Sequence, residues 1–189
     1  GLFGVAVALG AQDLFKNLIS GILVLVEKRF KIGDWIYVED IIEGVVERIG
    51  FRSTVIRKFD KSIATIPNAS FAENAVVNIT ETTNWRISWI ITLQYSSTVE
   101  QLKNIRDQIE KFITTNKDFK IGEDTEHAIR IDKFSDSSID MYVRCFTVTD
   151  DWGEWLKVKE RLAVKIKEIV ESNGASFAFP STSIYVEKK

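Results

Sequence analysis

Few residues in this 189-residue chain could carry covalent or metal chemistry. There is one histidine, His127, and one cysteine, Cys145. A zinc-type site needs a cluster of such ligands, and one of each cannot make it. Glu123, Asp124 and Glu126 could suggest a hard-cation loop. They lack the glycine and terminal glutamate of an EF-hand, so they read as a solvated loop. No G-x-S-x-G, G-x-x-x-x-G-K-[ST] or G-x-G-x-x-G occurs, so the sequence offers no nucleophile elbow, phosphate cradle or dinucleotide fingerprint. His127 reads as a surface or strand-end residue. Cys145 reads as core, alternating with Tyr142 and Arg144 on a strand. Asp150 and Asp151 precede Trp152 as favourable charge at a helix N-terminus. The expectation is no enzyme, no metal and no cofactor.

Partner chemistry is equally sparse. The net charge is −2, so no global basic field draws in nucleic acid. Five tryptophans could stack bases, yet they are spread over the later part of the chain without a basic surround. The expectation is no nucleic-acid partner, with an RNA-binding module kept as an alternative. A single cysteine allows no internal disulfide. The 45% hydrophobic content with only 2 prolines suits a folded core and excludes a disordered tail.

The informative pattern is instead one of small and apolar residues in the opening segment. Gly1, Gly4, Ala8 and Ala11 recur along one side of a helix. Val5, Leu9 and Gln12 form a narrow stripe beside them. Small residues let helix backbones approach closely where lipid supplies no hydrophobic drive to associate. Such a helix suits a tight ring of identical copies; a buried soluble helix rich in Ala and Gly fits the same spacing. The uncharged stretch 1–12 would be about 18 Å long as a helix, short of the roughly 30 Å bilayer core. The chain opens inside an apolar run without methionine or a basic leader, so it reads as a piece that continues upstream of Gly1. Past Asp13, Leu14, Leu18, Ile22 and Leu25 make one apolar face, with Lys16, Asn17 and Ser20 off it. This predicts an amphipathic helix lying at an interface. Lys28, Arg29 and Lys31 follow, the basic signature of a cytoplasmic flank.

The elements behind this segment read as two further domains. Strands are expected at 34–38, 44–49, 54–59 and 63–66, with Pro67-Asn68 ending the last. Short strands with tight turns suggest a small barrel of Sm or SH3 type. From Arg86 the order is β-α-β-β-α-β, that of a ferredoxin-like sandwich. Thr98 and Gln101 form a capping box ahead of a helix whose core face is Leu102, Ile105, Ile109 and Phe112. A second helix spans 152–172 with Trp155, Leu162, Ile166 and Ile169 inward, stopped by Asn173-Gly174. A last strand is expected at 183–186.

Several of these residues fall in a pattern that resembles one known family. G-x-x-G-x-A at Gly1 to Ala6, then Gln12, Asn17 and Gly21, then Phe30, Gly33-Asp34, Gly44-x-Val46, Ile49, Thr54, Asp60 and Ile66-Pro67-Asn68, resembles the small-conductance mechanosensitive channel (MscS) family. The likeness spans essentially the whole chain. It implies a membrane pore helix, a small Sm/SH3-like β-barrel domain, a ferredoxin-like α+β domain and a C-terminal strand. The corresponding segments are 1–27, kinked or broken near 13, then 28–85, 86–177 and 178–189. It further implies a homoheptamer in the bacterial inner membrane with most of this chain cytoplasmic. Membrane tension would open it, releasing ions and small solutes on hypo-osmotic shock, with lipids as its surroundings. The hydrophobic constriction would fall on Val5 and Leu9, helix packing on Gly1, Gly4, Ala6 and Ala8, and hinging on Gln12, Asp13 and Gly21. Gly33, Asp34, Gly44, Pro67 and Asn68 carry the family motif. The chain departs from the pattern in four places. Val5 is smaller than the usual leucine. Asp13 stands where a kink glycine is usual. Lys28-Arg29-Phe30 lacks a proline, and Lys61 replaces a turn glycine. The first two membrane helices of the family lie outside this sequence. A soluble Sm-like ring-forming scaffold is the runner-up.

Overall fold

A computed structural model describes residues 1–181 of the chain. It divides into two compact units, one of residues 1–82 and one beginning at Thr83. The expected strand at 183–186, and most of the 178–189 segment, lie outside the described residues.

The first unit opens with helix α1, Leu2–Glu27, which is a single unbroken α-helix. Of the kink or break expected near residue 13, the break does not occur. Gln12 and Asp13 are ordinary helix residues, and neither removes a backbone donor as proline would. After α1 come β1 (Trp35–Val38), β2 (Ile42–Ile49), β3 (Ser53–Arg57) and β4 (Ile63–Pro67). A short helix α2 (Asn68–Glu73) and strand β5 (Val77–Asn78) follow. The strands form one antiparallel sheet in the order β4-β3-β2-β1-β5. A register shift between Val46 and Arg48 puts an extra residue into β2, which bends the strand and increases its twist. Gly44 lies at a close approach: a Cβ there would sit 2.5 Å from the Arg57 carbonyl oxygen.

The core of this unit is Phe30, Ile36, Val38, Ile42, Val46, Ile56 and Phe71, joined by Val24 from α1. Phe30 and Phe71 meet edge to face at 5.1 Å. The C-terminal half of α1 is therefore part of the β domain rather than a separate strut.

The turn after β3 shows how a missing glycine is accommodated. Lys61 takes φ 72°, the left-handed region. Asp60 Oδ1 accepts from the Ser62 backbone N–H at 2.9 Å and from the Ser62 hydroxyl at 2.6 Å. These bonds hold the Asp60 carboxyl below its ordinary pKa. Relieving the left-handed backbone gains about 1–2 kcal/mol, against about 0.4–1 kcal/mol for glycine's extra freedom in the unfolded chain. Lys61→Gly is expected to raise the thermal midpoint of the protein slightly, a net of about 0.5 kcal/mol. A lowered midpoint in a melting curve would show that the lysine side chain itself contributes.

The second unit contains β6 (Arg86–Leu93), α3 (Val99–Thr115), β7 (Phe119–Lys120), β8 (Ala128–Phe134), β9 (Ile139–Thr147) and α4 (Trp152–Ser172). β9 is central. It pairs with β6 along one edge, and with β8 and then β7 along the other. After α4 the chain returns beside β6, where Ala178 N–H donates to the Thr92 carbonyl at 2.9 Å. Alternate residues of β9, from Ile139 through Met141 and Val143 to Cys145, point into a core shared with α3 and α4.

The capping box of α3 forms as expected: Gln101 N–H donates to Thr98 Oγ1 and Thr98 N–H to Gln101 Oε1. Asp151 caps α4 by accepting from Glu154 N–H at 2.8 Å. Gly174 ends it at φ 68°. On α3 the last core position is Ile113, fully buried, while Phe112 is half-buried and packs at the margin. Both fit a 3.6-residue period, and the expectation of Phe112 took i+3 where the helix uses i+4. Asp140 accepts from the Ser135 and Ser138 hydroxyls at 2.7 and 2.6 Å, which lowers its pKa and ties down the β8–β9 turn. Trp85, Trp152 and Trp155 gather in one aromatic cluster, Trp89 packs against the same unit's core, and Trp35 meets Phe59 edge to face.

Candidate functional site

The site is built on α1. At 26 residues it is about 39 Å long, enough to cross a bilayer core of about 30 Å. By length and composition it qualifies as a membrane span. Only 17% of its 18-residue apolar window is buried, so it is not the core helix of its own protomer. Leu2, Phe3, Val5, Val7, Leu9, Leu14 and Phe15 are all exposed. A continuous apolar surface of this extent marks contact with lipid or with other chains.

The other half of α1 is docked, and by its polar side. Ser20, Gly21 and Val24 are its buried residues. Asn17 Oδ1 accepts from the Ala69 backbone N–H at 3.0 Å. Gly21 lies against Asn68: a Cβ at position 21 would be 2.5 Å from Asn68 Nδ2 and 2.8 Å from the Phe51 carbonyl oxygen. Asn68 is fully buried. Its Nδ2 donates to the Gly50 and Phe51 carbonyls at 2.9 and 3.0 Å, and its Oδ1 accepts from Thr54 Oγ1 at 2.9 Å. One side chain thus holds the β2–β3 turn, β3 and α2 together, and leaves room for a helix only where that helix has no side chain. Lys16 adds an ion pair to Glu73 on α2, worth little at this exposure.

The expected apolar face turns away from the β domain. Leu14, Ile22 and Leu25 are exposed and Leu18 is half-buried, while Asn17, Ser20 and Gly21 turn toward the β domain. The reason is hydrogen bonding: α2 presents a backbone N–H and a buried amide, which a polar and small face can meet and a leucine face cannot.

Of the expected constriction residues, Val5 is 58% and Leu9 66% exposed, on the undocked half. Gly1 is the N-cap of α1, and neither Gly1 nor Gly4 has an atom within 4 Å of a built Cβ. Ala6 and Ala8 are exposed. Among the described residues, no other element of the protomer is packed on this surface. Of the expected hinge residues, Gln12 and Asp13 lie exposed within unbroken helix. Gly21 is different: it is a close-contact glycine, locked against Asn68.

The motif residues sit at turns and close contacts of the β domain, and Asn68 is the one placed against α1. Gly33 takes φ 96°, which favours glycine. Asp34 is buried and accepts from Lys31 N–H at 3.0 Å and from Asn78 Nδ2 at 2.8 Å. It ties the loop between α1 and β1 to β5. Pro67 closes β4 and stands as the N-cap of α2. Sequence reasoning placed Asn17 and Thr54 in the pattern without assigning them a role, and passed over α2 altogether.

Among the described residues no group of three or more His, Cys, Asp or Glu is placed to hold a metal ion. His127 Nε2 lies 3.6 Å from Glu110 Oε1. Cys145 is buried, and burial pushes its thiol up to about 12.

Known proteins match both units. Residues 13–81 match the beta-domain of the mechanosensitive ion channel family, and residues 87–177 the C-terminal domain of mechanosensitive ion channel MscS. An uncharacterised MscS family protein of Aquifex aeolicus is 42% identical over 188 residues, covering 100% of this chain and 50% of the relative. The small-conductance mechanosensitive channel MscMJ of Methanocaldococcus jannaschii is 34% identical over 188 residues, covering 100% of this chain and 52% of its own. The chain therefore spans about half the length of the curated relatives it matches. The crystal structure of Helicobacter pylori MscS in its closed state superposes with a TM-score of 0.84 at 28% identity, covering 100% of this chain and 72% of that one.

Proposed function

Because the chain belongs to the MscS family of mechanosensitive channels, we propose that α1 lines the pore of a tension-gated channel and that the β domain of the first unit and the whole second unit form its cytoplasmic part. The observation that carries this reading is the long apolar α1 whose first half its own protomer leaves uncovered. In this reading identical copies, seven by the family resemblance, bring their helices together around an axis in the bacterial inner membrane. Gly1, Gly4, Ala6 and Ala8 form the close helix contacts, and Val5 and Leu9 face the throat. A narrow ring of such side chains has no polar group to replace an ion's hydration shell, so water leaves and the path closes by dewetting. Tension favours the state of larger in-plane area, and the small residues let neighbouring helices slide as the ring widens. Ions and small solutes then leave the cell on hypo-osmotic shock. Nothing in this scheme calls for catalysis or a cofactor.

The finer descriptions of the two units belong to the same reading. Five short antiparallel strands with a bulge in β2 support an Sm/SH3-like barrel. The β6-β9-β8 order with α3 and α4 on one core supports a ferredoxin-like sandwich. A soluble ring-forming scaffold would have to cover the apolar surface of α1 with neighbouring copies alone, whereas a membrane covers it with lipid as well.

The direct test is patch recording from membranes carrying the full-length protein. The reading predicts stepwise current that rises with suction. Silent patches with verified protein in the membrane would contradict it.

A further inference from the structure

We propose that Asp13 gives the conduction path a preference for cations, as a ring of carboxylates one helical turn beyond the apolar constriction. This rests on the pore reading of α1 given above. Because α1 is unbroken from Leu2 to Glu27, Asp13 lies one turn past Leu9, about 6 Å along the axis. At i+4 it projects on the same side of the helix as Leu9.

The charges of α1 make Asp13 distinctive. The helix contains three charged residues, Asp13, Lys16 and Glu27. Lys16 is the natural neutraliser of Asp13 at i+3, but its ammonium is committed to Glu73 on α2. Glu27 is paired with Arg29 at 2.5 Å. Among the described residues the Asp13 carboxylate has no ion-pair or hydrogen-bond partner; only its backbone carbonyl is engaged, by Asn17 Nδ2 at 2.9 Å. The side chain is exposed. Each protomer thus carries, on the undocked half of α1, one carboxylate that no hydrogen bond or ion pair engages among the described residues; it feels Lys16 only through space, and neighbouring Gln12 is neutral.

Copies arranged around an axis multiply that charge in a narrow mouth. At physiological salt the screening length is about 8 Å, so carboxylates facing a narrow path act together. The apolar collar of Val5 and Leu9 next to them is a poor screen. Such a ring concentrates cations and repels anions, as acidic rings do in cation channels.

The experiment is the reversal potential of tension-activated current, in excised patches with a KCl gradient, for the full-length protein. The wild type is expected to reverse on the potassium side of zero. Asp13→Asn should lower the potassium-to-chloride permeability ratio by about twofold or more, and Asp13→Lys should carry the reversal toward chloride. Asp13→Glu should keep the wild-type preference. A merely structural role for Asp13 would not follow the sign of the charge. Wild-type reversal at zero or on the chloride side overturns the proposal, as does a ratio indifferent to Asn and Lys at this position. If tension current responds to Leu9→Ser while the reversal ignores residue 13, the Asp13 assignment alone is lost. If no tension current exists, the pore reading and this inference fall together.

Discussion

Leu9→Ser in the full-length protein is expected to open at markedly lower tension than the wild type, or to conduct without applied tension. Leu9 makes no packing contact that its own protomer needs, being 66% exposed on the undocked half of α1. The substitution therefore has little route to act through folding of the subunit. On the proposed reading, what it changes is the wetting of the throat. Exchanging a leucine for a serine forfeits about 1.5–3 kcal/mol of hydrophobic transfer energy per side chain, and the ring repeats that change in every copy. A hydroxyl can also hydrogen-bond water that a leucine excludes. Patch recordings of opening threshold, with growth of expressing cells as a second readout, check this. A threshold equal to the wild type would remove Leu9 from the gate.

Gly21→Val should detach the docked half of α1. The new side chain would begin 2.5 Å from Asn68 Nδ2 and 2.8 Å from a backbone carbonyl. Neither neighbour can give way cheaply, since Asn68 is fixed by three hydrogen bonds and Phe51 by its chain. Overpacking of this kind costs about 1–3 kcal/mol, and displacing Asn68 adds about 1–3 kcal/mol for each buried group left unsatisfied. The expected result is a clearly lowered thermal midpoint, with faster hydrogen exchange at residues 17–24 and 68–73. A hinge glycine behaves otherwise: replacing it stiffens motion while static stability holds. Unchanged stability in Gly21→Val would show that the contact with Asn68 does not hold the helix in place.

The elements with strong local signals were legible in the sequence. The Thr98–Gln101 capping box, the 152–172 helix stopped at Asn173-Gly174, and the 86–93 and 128–134 strands follow from short-range chemistry and period. The α2 helix was not legible, because six residues carry no readable period and Pro67-Asn68 looks like a stop. The docking face of α1 was hidden for a different reason. Leucine spacing marks a face that avoids water, and it does not say which surface covers it. Here the deciding partner, Asn68, lies 47 residues beyond Gly21, and it selects the polar face by hydrogen bonding and the absence of a Cβ. The positions of Val5 and Leu9 were assigned by resemblance; the structure adds that their own subunit leaves them bare.

The central claim is that Val5 and Leu9 face one shared throat that widens under tension. It is tested most directly by Val5→Cys and Leu9→Cys in the full-length protein, with a charged thiol reagent applied from the bath while suction holds the channels open. Cys145 contributes no background, since it is the only cysteine of this chain and is buried with its thiol pushed up to about 12. The account predicts stepwise loss of unit current, faster in open than in closed channels. Current that keeps its amplitude after demonstrated modification of both cysteines would contradict it.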